Sequence, residues 1–315
     1  MAKARMGVLL LALPLAFCPA CGRGAGPEKP PRKVKVFVSI PPQAYFVQRV
    51  GGSRVEVGVL AQAGRDPHNF DPTPKQIAQL SQARLYFRVG LPFEDQLVTK
   101  IRAGVIDTRK GIALREMTAD EMEGEHGVAA ATRREHGRQE HPGQAAKDPH
   151  IWLDPKLVKV QAQTICDALG EVDPGHSDEY AENLKAFQAD LDKLDKKIAR
   201  SLGPLRGKEF FVFHPAFGYF AASYGLRQRA VEIAGKEAGP RQVAEVIARA
   251  KKAGARVIFV EPQFSDKAAR TIAREIGGAV VRIDPLSGDY VGNLENVAAE
   301  IEKALGKDTG QLKVP

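Results

Sequence analysis

Seven histidines occur in the chain, and three of them share a setting that the other four lack. His68 stands in Gly64-Arg65-Asp66-Pro67-His68-Asn69-Phe70-Asp71-Pro72, between a β-rich stretch and a helix start. His150 lies in the proline-bounded string Asp148-Pro149-His150-Ile151-Trp152-Leu153-Asp154-Pro155, and His214 ends the apolar run Phe210-Phe211-Val212-Phe213 before Pro215. Asp284 closes Val280-Val281-Arg282-Ile283 in the same way. In open α/β sheets ligands bind outside the carboxyl ends of the strands, so such side chains can converge although tens of residues separate them. Three imidazoles and a carboxylate make a borderline-soft, four-coordinate set suited to zinc, with nitrogen at about 2.0–2.1 Å. Spacing of this kind does not prove convergence, and each histidine taken alone also fits a structural role.

The elements that must position these groups alternate between short β-rich and longer helical segments, the rhythm of parallel sheets covered by helices. Strands are expected at 34–40, 55–60 and 85–89, then at 210–213, 230–233, 257–260 and 280–283. A helix over 74–82 is signalled by Asp71 or Thr73 as cap and Pro74 in the first turn. The expected fold is α/β, with two similar domains at 33–172 and 203–315, each a mainly parallel sheet flanked by helices. One long helix over 173–202 joins them. Tyr180, Leu184, Phe187, Leu191, Leu194 and Ile198 recur along it at spacings of four and three. At about 1.5 Å per residue it extends roughly 40 Å and would restrict hinge bending. Its charged opposite face leaves a free coiled coil as the alternative.

The 315 residues, 43% apolar and 27% charged, exclude a disordered chain or a single small module. The net charge of +8 is interspersed rather than gathered into basic runs, so no nucleic acid partner is expected, and the chain is expected to be a monomer. Lys3 and Arg5 precede an apolar run over 6–18 that is too short to span a bilayer stably but suits a signal peptide, taken here as 1–20. Cys21 then reads as a lipidated residue and 21–32 as a tether; plain cleavage is the alternative. Cys166 reads as a small helix-core residue. The segment 118–147, with His126, His136 and His141 among acidic residues and no apolar periodicity, reads as a mobile loop able to bind metal weakly.

The strings around His68, His150 and His214, together with Phe259-Val260-Glu261-Pro262-Gln263-Phe264, resemble the metal-binding lipoproteins and periplasmic binding proteins of zinc and manganese ABC transporters. The resemblance runs from Lys33 to the C-terminus, and Asp-Pro-His-x-Trp-Leu-Asp-Pro is its most specific piece. It implies His68 and His150 from the first domain and His214 and Asp284 from the second as ligands of one ion in the cleft. Manganese members tend to carry glutamate where this chain has His214, so the implied cargo is Zn(II), with Mn(II) as the alternative. The implied function is an extracytoplasmic receptor delivering zinc to an ABC permease, in the periplasm or anchored outside the cytoplasmic membrane. A zinc hydrolase with Asp284 or Glu261 as base and a surface adhesin are the rivals. Asp66, Asp154 and Glu261 are candidates to accept the second ring N–H of a ligand histidine, and Trp152, Phe217 and Tyr219 to wall the cleft.

Overall fold

The computed structural model describes residues 33–117, 147–231 and 240–306, with backbone alone at 240–242. The expected signal at 1–20, Cys21 with its tether, and nearly all of the 118–147 segment lie outside the described residues.

Strands β1 (Val34–Val38), β2 (Val55–Val59), β3 (Leu85–Arg88) and β4 (Gly104–Asp107) form a sheet of order β2-β1-β3-β4, parallel throughout. A second sheet repeats that order with β5 (Glu209–Val212), β6 (Arg227–Ala230), β7 (Val257–Val260) and β8 (Ala279–Arg282), as β6-β5-β7-β8 and again parallel. The central β7, Val-Ile-Phe-Val, is buried at all its positions, as expected of a strand covered on both faces. In each sheet the chain steps from the first strand to one neighbour and then returns past it to the other. That reversal opens a crevice beyond the strand ends, between β1 and β3 and between β5 and β7.

Helices α1 (Pro41–Gly51), α2 (Pro74–Leu80), α3 (Pro92–Val98) and α4 (Pro155–Val172) each carry proline in the first turn, where its missing N–H leaves nothing unpaired. Thr73 and Gln76 complete a reciprocal cap on α2. After α4, a short 3-10 turn at Pro174–His176 leads into α5 (Ser177–Leu202), so the long helix proper begins at Ser177. Asp173 accepts from the Tyr180 hydroxyl at 2.6 Å and from the His176 ring at 2.9 Å, locking the bend between α4 and α5. Helices α6 (Gly218–Tyr224), α7 (Pro240–Lys252), α8 (Lys267–Glu275) and α9 (Tyr290–Leu305) belong to the second lobe.

The α5 stripe of Tyr180, Leu184, Phe187, Leu191, Leu194, Ile198 and Leu202 is buried against α4, α1 and α9, so this helix is no free coiled coil. Its 26 residues extend about 39 Å and touch helices of both lobes. One apolar core runs without a break from Val36 through Phe46 and Phe187 to Tyr290 and Ile301. A smaller core, with Phe211, Ile258 and Ile272, covers the outer face of the second sheet.

Two strands depart from expectation. β4 is a partly exposed edge of four residues, too short and too open to carry an apolar run. β6 spans Arg227–Ala230, starting earlier than the expected 230–233, of which 232 and 233 lie outside the described residues; an edge strand with polar Arg227, Gln228 and Arg229 shows no apolar signal of its own.

Candidate metal centre

The site is built at strand exits and loops of both lobes. In the connection from β2 to α2, Asp66 accepts the backbone N–H of His68 at 2.9 Å and the Asn69 amide at 2.6 Å, a turn typical of aspartate before proline. Ahead of α4, Asp148 accepts the backbone N–H of His150 at 2.9 Å. At the exit of β5, the His214 N–H donates to Glu261 Oε2 at 3.1 Å, and its ring stacks on Phe264 at 5.2 Å between centroids.

These three histidines meet. Nε2 of His150 lies 3.1 Å from Nε2 of His68 and 3.2 Å from Nε2 of His214, and one ligating nitrogen from each falls within 4.8 Å of the others. Ligands about 2.0–2.1 Å from a tetrahedral zinc stand about 3.3 Å apart, close to these separations. His150 and His214 are buried and His68 is partly exposed, so the trio faces solvent through His68.

The protonation of His150 follows from its partner. Asp148 Oδ1 sits 2.7 Å from Nδ1 of His150, and Asp148 Oδ2 is 2.7 Å from the Arg115 guanidinium. Burial alone would raise the Asp148 pKa, but the hydrogen bonds from His150 and the Arg115 charge outweigh it and hold the carboxyl below its ordinary value. An ionised carboxylate only accepts, so Nδ1 carries the proton and Nε2 presents its lone pair to the trio. Tyr219 ties this arrangement to the second lobe: its hydroxyl accepts from the Arg115 N–H at 3.0 Å and donates to the Asp148 carbonyl at 3.1 Å. Burial pushes the Tyr219 pKa up to about 12, which keeps it a donor.

Asp284, at the exit of β8, stands outside the trio. Its Oδ1 accepts from the Gln263 amide at 3.1 Å and from the Leu286 N–H at 2.9 Å.

At His150 the ring partner is Asp148, which was not among the expected carboxylates. Asp154 caps α4 through the Lys156 N–H and accepts from Ser223 at 2.5 Å, while Asp66 and Glu261 take backbone N–H groups. A signal for Asp148 was present: Asp-Pro-His occurs twice, at 66–68 and 148–150. Arg115 had none, because it is brought to Asp148 only by the fold. Trp152, Phe217 and Tyr219 are all buried; Trp152 meets the His150 ring and Tyr219 the Asp148 carbonyl.

Comparisons with known proteins agree with this architecture. The family model described as zinc-uptake complex component A, periplasmic, matches residues 36–304. The high-affinity zinc uptake system protein ZnuA of Bacillus subtilis (strain 168) is 31% identical over 302 residues, covering 91% of this chain and 90% of that protein. A crystal structure of ZnuA aligns with a TM-score of 0.77 at 38% identity, over 87% of this chain and 99% of that one. The laminin-binding protein Lmb of Streptococcus agalactiae, described as bifunctional with adhesin and metal transporting activity, aligns with a TM-score of 0.72 at 25% identity over 86% and 99%.

Proposed function

The chain belongs to the family of periplasmic zinc-uptake components, and from that premise we propose that it captures one Zn(II) between its lobes on His68, His150, His214 and Asp284 and passes it to an ABC permease. The observation that carries the ligand set is the convergence of three Nε2 atoms from three separate segments, one of them with its tautomer set by Asp148. Asp284 adds the fourth donor through Oδ2, its Oδ1 being engaged by Gln263 and Leu286.

The activity is binding and release, not catalysis. Four protein donors fill a tetrahedral shell, whereas a hydrolytic zinc keeps one position for water. A third imidazole where a carboxylate would favour manganese supports zinc as the cargo. We assign the working form as a monomer held outside the cytoplasmic membrane by lipid on Cys21. Among the described residues no helix is long and apolar enough to cross a membrane. The likeness to Lmb favours a second use in adhesion, which laminin binding by the purified protein would test.

The deciding experiment pairs a zinc titration against a competing chelator with growth of a deletion strain in zinc-poor medium. One tight site per chain, lost in His150→Ala, and a growth defect relieved by added zinc are expected. Normal growth without the protein, together with zinc binding unchanged in His150→Ala, would overturn the proposal.

A further inference from the structure

Trp152 is the sole tryptophan of the chain and is 1% exposed. It touches both sides of the metal centre. Its ring meets the His150 ring edge-on, with centroids 5.2 Å apart. Its Nε1–H donates to the carbonyl of Pro285 at 2.8 Å, a bond that joins residues 133 positions apart and crosses from the first lobe to the second.

Pro285 follows Asp284 directly. The backbone there is held from two directions, because the carbonyl of Asp284 itself accepts from the Asn293 side chain of α9 at 2.5 Å. The proline ring also restricts the conformation of the residue before it. With its own carbonyl and that of Pro285 bonded and its Oδ1 taken by Gln263, Asp284 has little freedom left, and the Trp152 bond ties that stretch to the lobe that carries His150. Packing alone would not need this bond: a phenylalanine would fill most of the same volume. An indole has a single donor and, once buried, must find a partner inside the protein.

We infer that Trp152 is a positioning residue for the fourth ligand, holding the Asp284-Pro285 backbone at a set distance from His150 so that the carboxylate closes the shell around zinc. The inference rests on the reading of Asp284 as a ligand. It also accounts for the tryptophan inside the most specific string of the sequence, two residues beyond a ligand histidine. The side chain does not reach the ion; it acts through Asp284.

The test is a double-mutant cycle on the full chain with Trp152→Phe and Asp284→Asn, read by zinc affinity and by the visible absorption of the Co(II)-loaded protein. Trp152→Phe should weaken zinc about tenfold and lower the intensity of the tetrahedral Co(II) band, in line with other partners of metal ligands. In the Asp284→Asn background the same change should cost less than about twofold, since there is no carboxylate left to position. Equal losses in both backgrounds, or no loss in the wild-type background, would overturn the inference. Asp284→Asn binding zinc as tightly as the wild type would instead remove Asp284 from the ligand set, and this inference with it. Should Trp152→Phe fail to fold, replacing the one tryptophan by its benzothienyl analogue keeps the shape, removes the N–H and is read in the same way.

Discussion

A Cβ placed on Gly218 would lie 1.6 Å from Nη1 of Arg115, so the first residue of α6 is glycine because a guanidinium passes directly over it. The same Cβ would come within 2.7 Å of Asp148 Oδ2, the oxygen that Arg115 holds. A methyl group at position 218 therefore presses on the ion pair that sets the His150 ring. Gly218→Ala should weaken zinc binding about tenfold, and by less when Arg115 is already alanine. Competition with a chelator of known affinity checks this; a loss in the Arg115→Ala background equal to that in the wild type would count against it.

Zinc competes with protons for three imidazoles, and a metal-binding histidine must be neutral. Affinity should therefore fall as the pH is lowered, with protons released on binding. Calorimetry in buffers of different ionisation enthalpy counts those protons. Affinity unchanged down to pH 5 would rule out a histidine site.

Replacing His214 by glutamate substitutes a hard oxygen for an imidazole and removes the ring stacked on Phe264. His214→Glu should bind zinc at least about tenfold more weakly and carry more manganese relative to zinc when both metals are supplied during growth. Elemental analysis of the purified proteins decides it. Full zinc and no manganese in both would leave the selectivity argument unsupported.

Glu116 and Lys147 bridge as an isolated antiparallel pair, and their side chains are 2.9 Å apart, so the chain on either side of 118–146 is already joined. All four proposed ligands lie outside that segment. Deleting 118–146 and closing the gap with a short flexible linker should leave the tight zinc affinity within about twofold. Uptake by cells should slow if the acidic, histidine-bearing segment collects metal weakly. Loss of the tight site in equilibrium titration would refute this division.

At the bend between α4 and α5, burial tends to raise the Asp173 pKa, but the hydrogen bonds from Tyr180 and His176 prevail and lower it. A carboxyl whose folded pKa lies below its unfolded value of about 3.9 stabilises the fold above that value and loses the contribution as pH falls through the folded pKa. Asp173→Asn should cost about 1 kcal/mol at pH 5 and above. The difference from the wild type should shrink below about pH 4, as measured by urea unfolding of the metal-free proteins. A difference that grows on acidification would have the wrong sign.

The long helix was legible because its information is local. Six apolar residues from Tyr180 to Ile198 at spacings of three and four specify one buried stripe, and the stripe is buried as the spacing requires. The central strands were legible for the same reason, β7 being an unbroken apolar run. Edge strands β4 and β6 were not, since a half-solvated strand needs no apolar pattern and takes its place from its neighbour's hydrogen bonds. The three histidines could be picked out by residue type and by their place at strand exits or beside prolines.

What the chain order alone left open was which carboxylate each ring would meet. Asp66 and Asp148 occupy the same Asp-Pro-His context and both accept the backbone N–H two residues on, yet Asp148 also takes a ring proton, at His150. The difference is environment: Asp148 is buried under Arg115 and Tyr219, from segments 33 and 71 residues away, whereas Asp66 sits in a more exposed loop with Asn69. Residue types and periodicity determined the inner strands of the two sheets, the joining helix and the kind of metal these side chains suit. Ring orientation, the Arg115 anchor and the bond from Trp152 to Pro285 were decided by packing, because each depends on groups distant in the chain that only the folded lobes bring within hydrogen-bond reach.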